Sequence, residues 1–337
     1  MTQQEPILEQ KEWNHFSVTQ IKEFLAQPHF QMTESLLKQL AQDSRVSVQA
    51  LAKKWERHSS QQKKEKERLE VLKKYEKALR QRKFQRIAGL DEAGRGPLAG
   101  PVCVAACILP EEWDLDGLDD SKKVPEVRRY ELAEKIKQQA IAYCQVLTSN
   151  EEIDRLNILR ATYKTAYQAL KGLTPAPDFV LVDALELKEL KIPYQALVKG
   201  DTLSCSIAAA SILAKTYRDD FMLEVDKEFP DYGFASHKGY GSPEHLHALE
   251  QFGPSTVHRF SFEGKVKKNK PLVFSKSFQF FTQGFSQCSS IEELERLGQA
   301  LSQKARYLPP QEIQRLRKQY RDVKTRWNTP ENSSSSV

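Results

Sequence analysis

Cysteine is scarce in this chain, with five among 337 residues and none in a Cys-x-x-Cys pair. That argues against both a disulfide framework and a thiolate zinc site, and it fits a reducing, cytoplasmic setting. Long apolar runs are missing too: nothing approaches the ~20 residues needed to span a bilayer. The start, Met-Thr-Gln-Gln-Glu-Pro, has neither the basic opening nor the apolar stretch of a signal peptide. No internal repeat is present. What remains is a chain long enough for about two domains, with 39% hydrophobic residues for a sizeable core.

The net charge of +6 conceals a sharper division. Residues 85–263 carry 20 Lys/Arg against 28 Asp/Glu, net −8. Residues 51–84 carry 13 against 5, and residues 264–337 carry 14 against 6, each net +8. An acidic core flanked by basic segments suits carboxylates gathered around cations, with separate basic surface for a polyanion. Lysine-rich helical surfaces alone would also produce basic flanks. The expected organisation is a helical, basic segment over 1–84, a catalytic domain over 85–263 and a mostly helical extension over 264–337.

In the first segment, Ser17 precedes Ile21, Phe24 and Leu25 at helical spacing. From about Ser59 the chain is highly charged, a solvated helix or a linker. In the middle segment, strands are expected at 86–91, 102–109, 142–148, 179–183 and 196–198. Helices are expected at about 125–139, 157–171, 204–228 and from Pro243 to Phe252. Strands first in succession, then alternating with helices, predict a mixed sheet with helices packed on it. Beyond it, 265–271 reads as a linker, the phenylalanine-rich stretch 274–285 as a packing element, and helices follow Ser290 and Pro310. The Ser-rich tail reads as disordered.

The chemistry centres on the run from Ile87 to Pro101, in which Asp91 and Glu92 close an apolar strand and lead into a turn punctuated by Gly94, Gly96 and Gly100. Asp183 in Val-Leu-Val-Asp and Asp201 in Lys-Gly-Asp likewise sit where strands end. A carboxylate ending an apolar run has no packing purpose, and an unpaired buried charge is costly. Convergence on divalent cations removes that cost. Each Asp taken alone could merely begin a turn or cap a helix; three such sites together favour a metal site. Because successive strand residues face opposite ways, Asp91 and Glu92 can share a site only if the strand twists or ends there. The glycine turn is no dinucleotide fingerprint, since Pro97 stands where a helix should start. It suits presentation of backbone groups to a sugar–phosphate chain.

Six blocks stand in sequence: Asp91-Glu-Ala-Gly-Arg-Gly-Pro-Leu-Ala-Gly-Pro101, Asp120-Ser-Lys-Lys123, Val182-Asp-Ala184, Lys199-Gly-Asp201, Ile207-Ala-Ala-Ala-Ser211 with Ala214-Lys-x-x-Arg218-Asp219, and His237-Lys-Gly-Tyr-Gly241. In that order they resemble the motifs of bacterial ribonuclease HII, over about residues 85–262. The resemblance implies an α/β, ribonuclease H-like fold: a mixed five-stranded sheet with flanking helices, here with helical N- and C-terminal extensions. It implies an endoribonuclease that hydrolyses RNA in RNA–DNA hybrids. It further implies incision 5′ to single ribonucleotides in duplex DNA, by two-metal-ion catalysis with Mg²⁺ or Mn²⁺, leaving 3′-hydroxyl and 5′-phosphate ends.

By the same resemblance Asp91, Glu92, Asp183 and Asp201 would be the catalytic metal ligands. Gly94, Arg95 and Gly96 would read the 2′-hydroxyl, and Tyr240 would pack on the following deoxyribose. On residue type, Lys122, Lys123, Lys199 and Lys238 would meet phosphates or be ordinary surface lysines, while His237 reads as structural. Related ribonuclease HIII enzymes would carry a Glu-type fourth ligand and lack the Gly-Arg-Gly turn. The partners implied are RNA–DNA hybrids and ribonucleotide-containing duplex DNA, with no membrane and with terminal extensions free for a protein partner. The competing reading is a non-catalytic nucleic-acid-binding protein on the same fold, against which the full set of four carboxylates argues.

Overall fold

The computed structural model describes residues 15–27, 30, 32–262 and 270–327. The N-terminal residues 1–14, most of the expected linker (263–269) and the Ser-rich tail lie outside the described residues. The chain divides into two compact units, one ending at Val71 and the other opening at Leu72.

The first unit holds α1 (Val18–Leu25), α2 (Glu34–Ala41) and α3 (Val46–Leu72), the last reaching the boundary. Ser17 opens α1 with a reciprocal cap, its hydroxyl accepting the Gln20 main-chain N–H while the Gln20 side-chain Oε1 accepts the Ser17 N–H. Ile21, Leu36, Leu40, Val48 and Ala52 close its small core.

In the second unit the sheet consists of β1 (Ile87–Ala93), β2 (Val102–Ile108), β3 (Ala142–Thr148), β4 (Phe179–Asp183) and β5 (Tyr194–Leu197). Their spatial order is β3-β2-β1-β4-β5. The first three strands run antiparallel, and β4 and β5 add in parallel with β1. β4 enters parallel to β1 after the crossover through α6 (Asn150–Leu156) and α7 (Ile158–Lys171), residues 184–193 lead on to β5, and α5 (Glu126–Gln139) links the antiparallel β2 and β3. Strand alternation sorts the two faces. Ala88, Leu90, Val104, Ala106 and Ile108 face Ala166, Ala169 and Leu170 of α7, whereas Ile87, Leu181 and Leu197 face Ile207 of α8 (Cys205–Glu228). Fully buried side chains such as Leu90 and Ile108 stabilise the sheet by roughly 1.5–3 kcal/mol each.

Gly89 is what lets α8 lie directly on β1, since a Cβ there would stand 1.9 Å from the Ser206 carbonyl carbon. The N-terminus of α8 is held by Glu76, from α4 (Lys74–Gln81), which accepts from the Ser204 hydroxyl at 2.5 Å and the Ser206 amide at 3.0 Å. Residues 72–84, grouped with the N-terminal segment on composition, are thus part of the second unit. So are α9 (Phe234–His237), α10 (Pro243–Phe252) and the terminal helices α11 (Lys276–Gln287), α12 (Ile291–Lys304) and α13 (Pro310–Trp327).

The phenylalanine-rich stretch is α11, which buries Phe281 and Phe285 against Leu294, Leu301 and Leu316 while Phe280 stays exposed. Glu312, fully buried at the start of α13, accepts the Thr256 hydroxyl at 2.7 Å and the Ser275 amide at 2.9 Å, and also the Ser275 hydroxyl. Through Thr256 it ties the terminal helices to the loop after α10.

Candidate active site

Neighbouring strands β1 and β4 end side by side, and that brings the predicted carboxylates together. β1 runs on through Ala93, so Asp91 and Glu92 both stay in the ladder, opposite Ala105 and Val104. Asp91 is buried on the α8 side, where Ser211 lies beside it and favours its ionised form. Its Oδ1 accepts the Glu92 amide at 2.7 Å. Burial first, then the Glu92 charge and that of Asp183, hold the Asp91 carboxyl well above the usual range. Burial also raises Glu92, against the opposing pull of Arg95, whose Nη1 lies 3.2 Å from Glu92 Oε1.

Asp183 ends β4 and accepts the Gly200 amide at 2.7 Å, which draws the turn carrying Asp201 up to it. The residues on either side of this junction are strained: Ala184 has φ 45° and Lys199 φ 58°. Non-glycine residues hold such angles only where the surroundings over-determine them, a pattern concentrated at functional sites. Asp201 is buried and pushed up to about 6, by burial first and then by the charge of Asp120. Asp120 is a fifth carboxylate that strand-end reasoning missed, because it lies in a loop. Its place in the Asp-Ser-Lys-Lys block was the available signal.

These residues fit divalent cations. The donors are hard oxygens, three of the carboxyls are destabilised as anions by burial and by each other, and Glu92 Oε2 is buried with no hydrogen-bond partner. Among the described residues no three acidic, histidine or cysteine side chains already stand grouped as metal ligands. The carboxylates would have to turn toward one another, which their repulsion opposes until a divalent charge offsets it.

The predicted sugar-reading turn leaves β1 at Gly94, whose φ is +88° and whose missing Cβ would lie 2.0 Å from Arg218 Nε. That glycine therefore makes room for a buried arginine. Arg95 and Gly96 are exposed, and Tyr240, 46% exposed, stands near them with the Arg218 guanidinium 5.9 Å from its ring centre.

The predicted lysines do not behave alike. Lys122 is exposed and close enough to favour the ionised forms of Glu92 and Asp201. Lys123 pairs with Asp119 at 3.3 Å, and Lys199 is exposed beside Asp201. Lys238 is buried, its ammonium turned inward to the Ala235 carbonyl, so it is not presented to a phosphate. His237 is structural as expected: Nε2 bonds the Tyr232 carbonyl at 2.8 Å and Nδ1 accepts the Gly239 amide. Arg218 and Asp219 are not a pair. Asp219 engages Lys215 at 2.7 Å and Arg129 at 3.6 Å, while Arg218 bonds only main-chain carbonyls.

A mixed five-stranded sheet in this order, with flanking helices, is a ribonuclease H-like fold. The ribonuclease HII family model matches residues 88–265, and that of the ribonuclease HII N-terminal domain matches residues 17–80. The ribonuclease HII of Desulfitobacterium hafniense (strain DSM 10664 / DCB-2) is 48% identical over 249 residues, 74% of this chain and 95% of that protein. That of Clostridioides difficile (strain 630) is 44% identical over 246 residues, covering 73% and 96%. Among solved structures, the ribonuclease H2 from Pyrococcus horikoshii OT3 is 26% identical over 49% of this chain and 86% of its own, with a TM-score of 0.44. The chain belongs to the ribonuclease HII family, and it is an enzyme.

Proposed function

We propose that this enzyme hydrolyses the RNA strand of RNA–DNA hybrids and incises duplex DNA on the 5′ side of an embedded ribonucleotide. The observation that carries the reading is the placement of Asp91, Glu92, Asp183 and Asp201 within electrostatic reach of one another beside an exposed Arg95-Gly96 turn. Two Mg²⁺ or Mn²⁺ ions held by these four residues would supply the positive charge that an in-line phosphodiester displacement develops against. The protein's own part is to carry four carboxylates at neighbouring strand ends, where bound cations would favour their ionised forms, and to present the turn that would inspect the sugar; no side chain need act as nucleophile. Lys122, Lys123 and Lys199 would position phosphates, and Tyr240 would pack on the deoxyribose following the ribonucleotide. The products would carry 3′-hydroxyl and 5′-phosphate ends.

The test is a duplex DNA containing one ribonucleotide, incubated with Mg²⁺ or Mn²⁺. Cleavage 5′ to the ribonucleotide, abolished in Asp91→Asn, is expected. Equal cutting of an all-DNA control refutes the reading. Tight binding without any cleavage would favour a binding protein on a nuclease fold.

A further inference from the structure

Two arginines are the largest fully buried side chains of the molecule, Arg218 on α8 and Arg259 in the loop after α10, at 1% and 0% exposure. Among the described residues neither has a carboxylate within ion-pair distance. Their donors go instead to main-chain carbonyls of the turn that leaves β1. Arg259 gives Nη2 to Gly94 O at 2.7 Å and Pro101 O at 2.9 Å, Nη1 to Arg95 O at 3.0 Å, and Nε to Gly100 O at 2.8 Å. Arg218 gives Nε to Pro101 O at 2.9 Å, Nη2 to Ala99 O at 3.2 Å and Nη1 to Lys238 O at 3.0 Å.

Burying two like charges side by side with no counter-ion is a poor way to stabilise a fold, and apolar side chains would serve at least as well. Burial first, and then the neighbouring Arg218, push the Arg259 guanidinium down to about 9. What the pair does provide is geometry. A peptide unit is planar, and in its trans form C=O and N–H point in opposite directions. The peptides joining Gly94 to Arg95 and Arg95 to Gly96 are trans. With both carbonyls drawn inward onto Arg259, the amides of Arg95 and Gly96 must point away from it, toward the exposed side of the turn. Among the described residues neither amide donates to a protein acceptor. Arg218 extends the same hold to Lys238, two residues before Tyr240.

We propose that Arg259, supported by Arg218, is the positioning residue for ribose recognition: it fixes the Arg95 and Gly96 amides as a preset donor pair for a 2′-hydroxyl. This rests on the reading of the turn as the sugar-inspecting element. A misplaced donor pair would lose the substrate contact without disturbing phosphate binding elsewhere.

The experiment uses the full chain with Arg259→Lys and Arg259→Met. Two quantities are measured: kcat/KM on a duplex with one ribonucleotide, and Kd for the same duplex made entirely of DNA. Arg259→Met should lower kcat/KM about 100-fold, the scale for groups displaced by about 1 Å. Arg259→Lys, keeping charge and one donor direction, should recover part of that loss. Kd for the all-DNA duplex, set by backbone charge, should stay within about 2-fold in both. A folded Arg259→Met enzyme with wild-type kcat/KM overturns the proposal, and so does a parallel loss of DNA affinity.

Should the variants fail to fold, amide hydrogen exchange on the wild type decides. The Arg95 and Gly96 amides should be protected by the ribonucleotide duplex and not by the all-DNA duplex. Equal protection by both overturns the proposal. Wild-type failure to cleave at the ribonucleotide would instead refute the functional reading itself.

Discussion

Acid should loosen the loop behind Tyr240 through one buried histidine. His258 and His245 are both fully buried, with their Nε2 atoms 3.0 Å apart. His258 Nδ1 accepts the Ser255 amide at 2.9 Å, and His245 Nδ1 bonds the Tyr240 carbonyl at 2.8 Å. Those partners define the tautomers: His245 carries its proton on Nδ1, and His258 carries its own on Nε2, pointing at His245. A further proton on either ring would place two donors face to face. Burial, reinforced by the neighbouring ring, lowers His258 to about 3, and burial lowers His245 to about 4.

A histidine whose folded pKa lies below its unfolded value of about 6.5 contributes its full stability above that pH and loses it as pH falls toward the folded value. Between pH 7.5 and 4.5, His258 alone should therefore forfeit about 2–3 kcal/mol. Buried carboxyls with raised pKa, such as Glu312, respond in the opposite sense, so wild type and His258→Gln must be compared at each pH. Urea unfolding should show the variant less stable at pH 7.5, with its deficit shrinking by about 2–3 kcal/mol at pH 4.5. Parallel stability curves across that range would refute the argument.

Glu312→Ala strips the partner from the Thr256 hydroxyl and from both the amide and hydroxyl of Ser275. It should cost about 3–5 kcal/mol and lower the thermal midpoint by on the order of 10 °C; a loss under about 1 kcal/mol in calorimetry would show the network to be slack. Lys74, Lys77, Arg82 and Lys83 are exposed on the second unit. Replacing them with Ala should flatten the salt dependence of DNA binding by up to about 4 in log–log slope, near 0.9 per phosphate contact. An unchanged slope would remove this stretch from the nucleic-acid surface.

Where apolar and β-branched residues run together, the sequence located elements closely: β4, buried over four of its five residues, lies where expected, and so does the edge strand β3, whose Ala-Tyr-Cys-Gln-Val-Leu-Thr is β-type though half exposed. β5 was placed two residues late since its Tyr-Gln-Ala-Leu is half exposed and blends into a loop. The seven-residue α6 went unseen for the same reason, being short and largely charged. Charge totals by segment proved a weaker guide. The basic stretch 51–84 straddles the boundary at Val71, with six of its thirteen Lys/Arg belonging to the second unit.

In the candidate site, the strand-end carboxylates were legible together rather than singly, because one aspartate after Val-Leu-Val could simply begin a turn while three such strand ends converge on fewer explanations. Asp120 and Ser211 lie inside two of the sequence blocks but acquire a role only through partners far along the chain, and no local pattern marks Arg259. Lys238 was grouped with the phosphate-facing lysines by residue type alone, whereas it has a left-handed backbone, φ 51°, and its ammonium reaches the Ala235 carbonyl.

The long reach of Arg259 has a consequence for synthesis. All four strand-end carboxylates have left the ribosome once Asp201 has emerged, yet the guanidinium that holds the turn at Gly94 lies 165 positions further along than the residue it holds. On the proposed reading, a nascent chain stalled between these points would carry the metal ligands without the residue that sets the sugar-reading turn. The proposed chemistry and its discrimination would then be completed in that order, and only a chain translated past Arg259 would possess both.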